Sequence, residues 1–208
     1  MRESDIWPAL RGYWHPVAYA YEVPDDKPFP VTLLGERLAV CKLGNTYRAF
    51  YDLCIHRGTP ISLGWIKGKE VVCAYHGWSY DSQGKCTRIP SVPSGHSIPK
   101  KACLTTYHTE ERYGLIWVCL ADESHVGIPE CPDFEDPSYE VFLRQRTSWK
   151  GSAARVIENF VDQAHFSWVH ENILGTRDDT LMPDFSLKRE PEEMVFHFDN
   201  PADKFHVD

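Results

Sequence analysis

No stretch of the 208 residues approaches the ~18 consecutive apolar side chains of a membrane-spanning helix. The opening MRESDIWPALRGYW also lacks the basic end and apolar run of a secretory signal. Lysine and arginine are scarce, 22 against 30 Asp and Glu, for a formal charge of -8. Phosphate binding needs a basic stripe, so neither nucleic acid nor a membrane is an expected partner. The acidic balance is compatible with steering a basic protein. Cysteine is also sparse: seven residues, an odd number, are too few for a disulfide scaffold. The expected setting is the cytoplasm, with reduced thiols. Internal repeats and low-complexity tracts are absent. What is present is enough apolar material for a core, 42% hydrophobic with 13% aromatic, and ten histidines.

After an aromatic lead-in (Trp7-Pro8, then Tyr13 to Val17) and a proline-bearing loop from Pro24 to Pro30, short apolar runs recur between turn signals. They are VTLLG, RLAVCKL, TYRAFYDL, GKEVVCAY, GWSYD, CLTTYHTEERYG and LIWVCLA. β-Branched and aromatic runs punctuated by Gly44-Asn45, Gly58, Gly64, Gly68 and Ser82-Gln83-Gly84 predict a small antiparallel β domain. Residues 121–139 are acidic and proline-rich, which reads as a boundary. The strongest helix signal lies beyond it. Ser152 is placed to cap that helix, and Val156, Phe160 and Val161 fall on one apolar stripe. DFSLKR and EMVFHFDN near the end are strand-like.

Two Cys–His pairs stand out. Cys54-x-His56 is followed, after sixteen residues, by Cys73-x-x-His76, with Gly58 and Gly77 just beyond. Thiolates and imidazoles suit zinc or iron–sulfur centres. A single residue between Cys54 and His56 is too short for a zinc knuckle. A [2Fe–2S] centre with two Cys on one iron and two His on the other fits better, because each loop supplies one of each. The bland alternative is two core thiols and two surface histidines. The other five cysteines (Cys41, Cys86, Cys103, Cys119, Cys131) read as small buried or strand residues.

A second set lies around the expected helix: Asn159, Asp162, His165 and His170. Asp162 and His165, three apart, share a face of an ideal helix. His165 and His170 stand about 140° apart round it, so a helix carrying both must distort or end, and 171–175 reads as the ending. Two histidines with a carboxylate suggest mononuclear Fe(II) with open positions for O2. Asp162 suits an outer role, accepting a hydrogen bond from an iron-bound imidazole. The bland alternative is a polar helix face.

CIHRG with CAYHGW resembles the oxygenase form of the Rieske motif; the extra cysteine of each respiratory Rieske loop is missing. N-x-x-D-x-x-H-x-x-x-x-H resembles the iron-site motif downstream of that domain in Rieske non-haem iron oxygenases. The resemblance implies an α+β chain. Residues 1–140 would form an antiparallel β Rieske domain with its lead-in, and 141–208 the beginning of a helix-grip (START-like) catalytic domain. It implies a terminal oxygenase whose [2Fe–2S] cluster, on Cys54, His56, Cys73 and His76, passes electrons to iron on His165 and His170. Asp162 would bridge to His76 of a neighbouring copy in a homotrimer, with Asn159 beside it. Electrons would come from NAD(P)H through a ferredoxin or flavin reductase. The reaction would be hydroxylation or dealkylation of a small aromatic substrate, monooxygenase or demethylase rather than cis-dihydroxylating dioxygenase. A Rieske ferredoxin-like carrier and a zinc protein are the alternatives. The family's third ligand is an Asp far downstream, whereas this chain stops 38 residues after His170. Asp178, Asp179, Asp184, Asp199, Asp203 and Asp208 read as turn and surface residues, and the resemblance implies a truncated oxygenase.

Overall fold

A computed structural model describes residues 3–93, 95–144, 146–182, 184–190 and 193–198. The chain divides into two compact units, Met1–Arg144 and Gln145–Asp208. No helix among the described residues is long and apolar enough to cross a membrane.

The first unit contains ten strands: β1 (His15–Tyr19), β2 (Phe29–Leu33), β3 (Glu36–Leu43), β4 (Thr46–Tyr51), β5 (Trp65–Lys67), β6 (Glu70–Val72), β7 (Ser79–Tyr80), β8 (Cys86–Arg88), β9 (Thr106–Arg112) and β10 (Leu115–Cys119). Six form an antiparallel sheet in the order β1-β10-β9-β4-β3-β2, and β5-β6-β7-β8 form a second sheet. Ala49 and Phe50 of β4 pair with Tyr107 and Thr106 of β9. Residues 52–105 therefore leave the large sheet and return to its adjacent strand, and the small sheet is an insertion between neighbours. Three strands, β1, β5 and β8, arise where no strand was expected. Their runs are short or contain proline, and partners rather than propensity make them strands.

Side-chain alternation along β3 builds two cores. Leu38 and Val40 join Ala18, Ala49, Ile116 and Val118 on one face. Ala39, Cys41 and Leu43 point the other way, towards Phe50, Ile61, Val71, Tyr80 and the thiols Cys54 and Cys73. Burial on both faces explains why RLAVCKL is apolar almost without interruption. The lead-in is tied down by Arg11, which bonds to Glu36, while the Tyr107 hydroxyl donates to the other Glu36 oxygen at 2.5 Å. Burial alone would raise the Glu36 pKa, but those two donors hold it below the usual carboxylate value.

The backbone N–H groups of Leu120 and Ala121 donate to the Arg11 carbonyl, and that of His125 to Gly12. The His125 ring stands edge-on to Tyr13, 5.2 Å between centroids. The acidic segment thus begins by packing on the lead-in. Of the cysteines outside the two motifs, Cys41, Cys86 and Cys119 are buried, but Cys103 and Cys131 are exposed. Cys103 forms a β-bridge with Lys85, whereas Cys131 is neither buried nor in a strand, which corrects its reading as a buried or strand residue.

The second unit holds α1 (Ala153–Val161), α2 (Phe166–Val169) and a hairpin of β11 (Phe185–Arg189) with β12 (Met194–Phe198). Ser152 caps α1 by accepting from the Arg155 N–H at 3.3 Å, as expected of a serine there. The apolar stripe of α1 is largely unburied: Ile157, Phe160 and Val161 are exposed.

Candidate metal centres

The two Cys–His loops are built on one turn. In the first, the Cys54 N–H donates to Thr59 O at 2.8 Å, and the Cys54 carbonyl accepts from the Gly58 N–H at 2.8 Å. In the second, the Cys73 N–H donates to Trp78 O at 2.9 Å, and its carbonyl accepts from Gly77 at 3.0 Å. Each turn closes through a residue with positive φ, +72° at Gly58 and +70° at Gly77, which glycine adopts without strain. A β-carbon on Gly77 would also press on Pro90, 3.1 Å away.

These turns bring the four side chains together. The thiols are 2% (Cys54) and 1% (Cys73) exposed and belong to one core cluster. The rings of His56 and His76 lie outward of them, their centroids 4.5 Å apart. His56 stacks on Trp78 at 4.4 Å and 9°. Burial pushes the Cys73 thiol pKa up, and the adjacent Cys54 adds to the shift. His56 is pushed down, first by desolvation and then by the charges of His76 and Arg57. The Nδ1 of His56 is buried without a hydrogen-bond partner among the described residues. An orphaned imidazole nitrogen beside two buried thiols costs free energy unless something binds it. Among the described residues no three His, Cys, Asp or Glu side chains converge as ligands of a single ion. A cluster that divides its four ligands two and two between two irons does not require that.

Behind the thiols lies a residue that reading the motifs passed over. The Tyr80 hydroxyl is 3.2 Å from Cys54 Sγ, and Tyr80 is fully buried. Burial and the Cys54 contact both push the Tyr80 pKa up. Its only signal in the sequence is its place at the end of GWSYD.

The second set is arranged differently from the expectation. α1 stops at Val161, and Asp162 is its C-cap at ψ 107°, so Asp162 and His165 do not share a helix. A turn intervenes, held by the Ala164 N–H donating to Asp162 Oδ1 at 2.9 Å. The local side-chain bond competes with the helical one and breaks the helix earlier than residues 171–175. His165 and His170 then flank α2, with ring centroids 5.2 Å apart. Asp162 Oδ2 stands 3.4 Å from His165 Nδ1, ion-pair distance, but that nitrogen makes no aligned hydrogen bond and is buried. Asn159 is exposed on α1 and makes no side-chain hydrogen bond among the described residues. Asp178 and Asp184 are exposed, and Asp179 lies in the turn whose carbonyl accepts from Ser167 Oγ. Asp199, Asp203 and Asp208 lie outside the described residues.

Residues 13–108 match the Rieske [2Fe-2S] domain, and residues 149–205 match the vanillate O-demethylase oxygenase C-terminal domain. The chain belongs to the Rieske non-haem iron oxygenases. Methylxanthine N1-demethylase NdmA of Pseudomonas putida is 37% identical over 202 residues, 93% of this chain and 57% of the relative. Methylxanthine N3-demethylase NdmB of the same organism is 33% identical over 204 residues, 93% of this chain and 57% of the relative. The structure of Pseudomonas putida CBB5 NdmA with caffeine superposes with a TM-score of 0.88 at 34% identity, covering 98% of this chain and 60% of that one. The chain thus spans less than two thirds of the length of these relatives.

The Rieske domain's donor set fits its cluster: two shielded thiols, two imidazoles and an orphaned Nδ1. For a mononuclear iron the fit is partial, two imidazoles with no third carboxylate converging among the described residues. Were Cys54 to ligate the cluster, it would be a thiolate able only to accept, and Tyr80 would have to donate to it. Such a donor stabilises the more negative, reduced state. Tyr80→Phe is therefore expected to lower the midpoint potential while leaving iron content unchanged. Redox titration followed by EPR checks this, and an unchanged potential would remove Tyr80 from the tuning of the centre.

Proposed function

We propose that this chain is part of a terminal oxygenase component. In this reading Cys54, His56, Cys73 and His76 hold the [2Fe–2S] cluster, and His165 and His170 contribute to a mononuclear Fe(II). The observation that carries the reading is the pair of matching turns that bring two thiols and two imidazoles to one edge of the core. When bound, the cluster supplies electrons singly and the iron supplies open positions for O2. The chain's own residues set the conditions. Cys54 and Cys73 must give up their protons to become ligands, and at Cys73 burial makes that unfavourable without the metal. Trp78 covers one face of His56. Asp162 is placed to accept a hydrogen bond from His165 Nδ1–H, which would leave Nε2 as the nitrogen free for the metal.

The reaction class is hydroxylation or, better supported, oxidative removal of a methyl group from nitrogen or oxygen of a small aromatic or heteroaromatic molecule. What supports it is the kinship with methylxanthine demethylases. NAD(P)H would supply electrons through a ferredoxin or flavin reductase, to a homotrimer in the cytoplasm. The helix-grip form of the catalytic domain is part of the same proposal.

Metal analysis of the 208-residue chain tests it. Two iron and two labile sulfide per chain are expected, with a Rieske-type EPR signal after dithionite. A third iron should be lost readily to a chelator, because two imidazoles hold it without a converging carboxylate. A colourless protein with stoichiometric zinc would end the reading. A firmly held third iron would make Asp178 or Asp184 the next residue to substitute.

A further inference from the structure

Arg48 and Lys69 come from different sheets, yet they line one cavity of about 420 Å³ beside the β3–β4 turn. Along β4, Tyr47 and Ala49 face one core, so Arg48 projects with Phe50 from the other face, the one that the small sheet covers. Lys69 lies in the β5–β6 turn. Its stem passes over Gly44, with Cε 3.5 Å from where a β-carbon of Gly44 would stand. Thr46 adds a hydroxyl, and so does Ser82 from the β7–β8 turn. Three turns therefore converge on Arg48. No carboxylate among the described residues lines this cavity, and neither cation is in an ion pair among them. The Arg48 guanidinium makes one hydrogen bond among those residues, from Nη1 to the adjacent Tyr47 carbonyl at 2.8 Å. Most of its five N–H donors are left for a ligand. In the antiparallel order β5-β6-β7-β8, the β5–β6 and β7–β8 turns share one end and the Cys73–Trp78 loop takes the other. The cavity is thus set apart from that loop by the length of β6, roughly 10 Å.

Arg48 and Ser82 also line a second cavity, of about 700 Å³, so the two adjoin. The larger one is charged differently. Its Arg11 is bonded to Glu36, and His108 Nε2 stands 2.7 Å from the Asp122 carbonyl. Thr105, Thr106 and Gln83 supply neutral hydrogen-bonding groups, while Glu36 and Asp122 disfavour a second anionic group there. A net charge of -8 argues against a polyanion as ligand, but a single phosphate group needs only a local pair of cations. A guanidinium fork binds two phosphate oxygens at once, and an ammonium adds a point charge on a flexible stem. Cavities of these volumes suit small molecules. We propose that Arg48 and Lys69 hold the phosphate group of a small phosphate monoester, whose uncharged, hydroxylated body extends past Ser82 towards Thr106.

The test is isothermal titration calorimetry of the whole 208-residue chain with inorganic phosphate, ribose 5-phosphate and ribose, at ionic strength matched with sodium chloride. Phosphate should bind saturably, with a Kd on the order of 1 mM or tighter. Ribose 5-phosphate should bind about tenfold more tightly, and ribose alone should give no saturable heat. Arg48→Gln and Lys69→Gln should each weaken both phosphate compounds by about tenfold or more. Lys67→Gln is the control, since it removes the same charge two residues away and Lys67 does not line the cavity. That variant should bind as wild type does. Lys69 is exposed, so its substitution decides the outcome if Arg48→Gln fails to fold. No saturable binding of phosphate by wild type would overturn the site. So would equal losses in Lys67→Gln and Lys69→Gln, which would reflect general charge rather than the cavity. Ribose 5-phosphate binding no tighter than phosphate would overturn the placement of the body in the larger cavity. The heats are read whatever metal the chain holds, so the cavity stands or falls apart from the cluster assignment.

Discussion

Cys73→Ser is expected to leave the purified chain without its Rieske EPR signal and without stoichiometric iron. Cys73 is 1% exposed and shares a core cluster with Cys54 and Tyr80. Its backbone closes the second loop at both ends, to Trp78 and Gly77, and serine keeps those backbone bonds. What changes is the donor atom. A hard hydroxyl with a high pKa replaces a soft sulfur that iron can deprotonate. A lost ligand at a two-plus-two centre leaves one iron with a single thiolate, so the whole cluster should go. The buried hydroxyl costs roughly 1–3 kcal/mol if unpartnered, which a folded domain can tolerate. Cys86→Ser is the control: Cys86 is equally buried in the same cluster, its Sγ directed at the Arg88 carbonyl at 3.5 Å. The control should keep colour and signal. A coloured, EPR-active Cys73→Ser protein would remove Cys73 from the ligand set.

In a complete, active oxygenase of the kind proposed, Asp162→Asn is expected to cut turnover by about 10- to 100-fold, the usual cost of losing an outer-shell partner of a metal-bound histidine. The substitution isolates charge from shape. Asparagine retains an oxygen for the Ala164 N–H, so the turn between α1 and α2 should survive. It removes the anion 3.4 Å from His165 Nδ1, a nitrogen shut away from solvent with no hydrogen-bond partner among the described residues. Oxygen uptake and product formation measure the loss. The Rieske EPR signal and the melting temperature should match wild type, which separates an effect at His165 from general damage. Turnover at the wild-type level would show that the carboxylate is not needed there.

Much of the site was legible because its geometry is local. Cys54 and Gly58, like Cys73 and Gly77, are joined by hydrogen bonds within five residues, so their spacing already encodes the turn. Ser152 as a cap and the strands β11 and β12, though not their pairing, were legible for the same reason. Tyr80 was not, because what matters is its approach to Cys54, 26 residues away. The helix break at Asp162 was missed because a side-chain bond competes with the helical one. Periodicity registers spacing, and it does not register that competition.

By itself, then, the sequence determined the spacing of the two Cys–His pairs, the two matched turns and the membership of the Rieske oxygenases. Bonds between near neighbours in the chain need no distant partner to form. Only the tertiary structure decided that β4 pairs with β9 and so sets residues 52–105 apart as an insertion. It also decided that His56 stacks on Trp78, that Tyr80 reaches Cys54, and that Arg48 and Lys69, from different sheets, line one cavity. Those facts depend on packing between segments dozens of residues apart. There, register and burial rather than local preference choose which atoms meet.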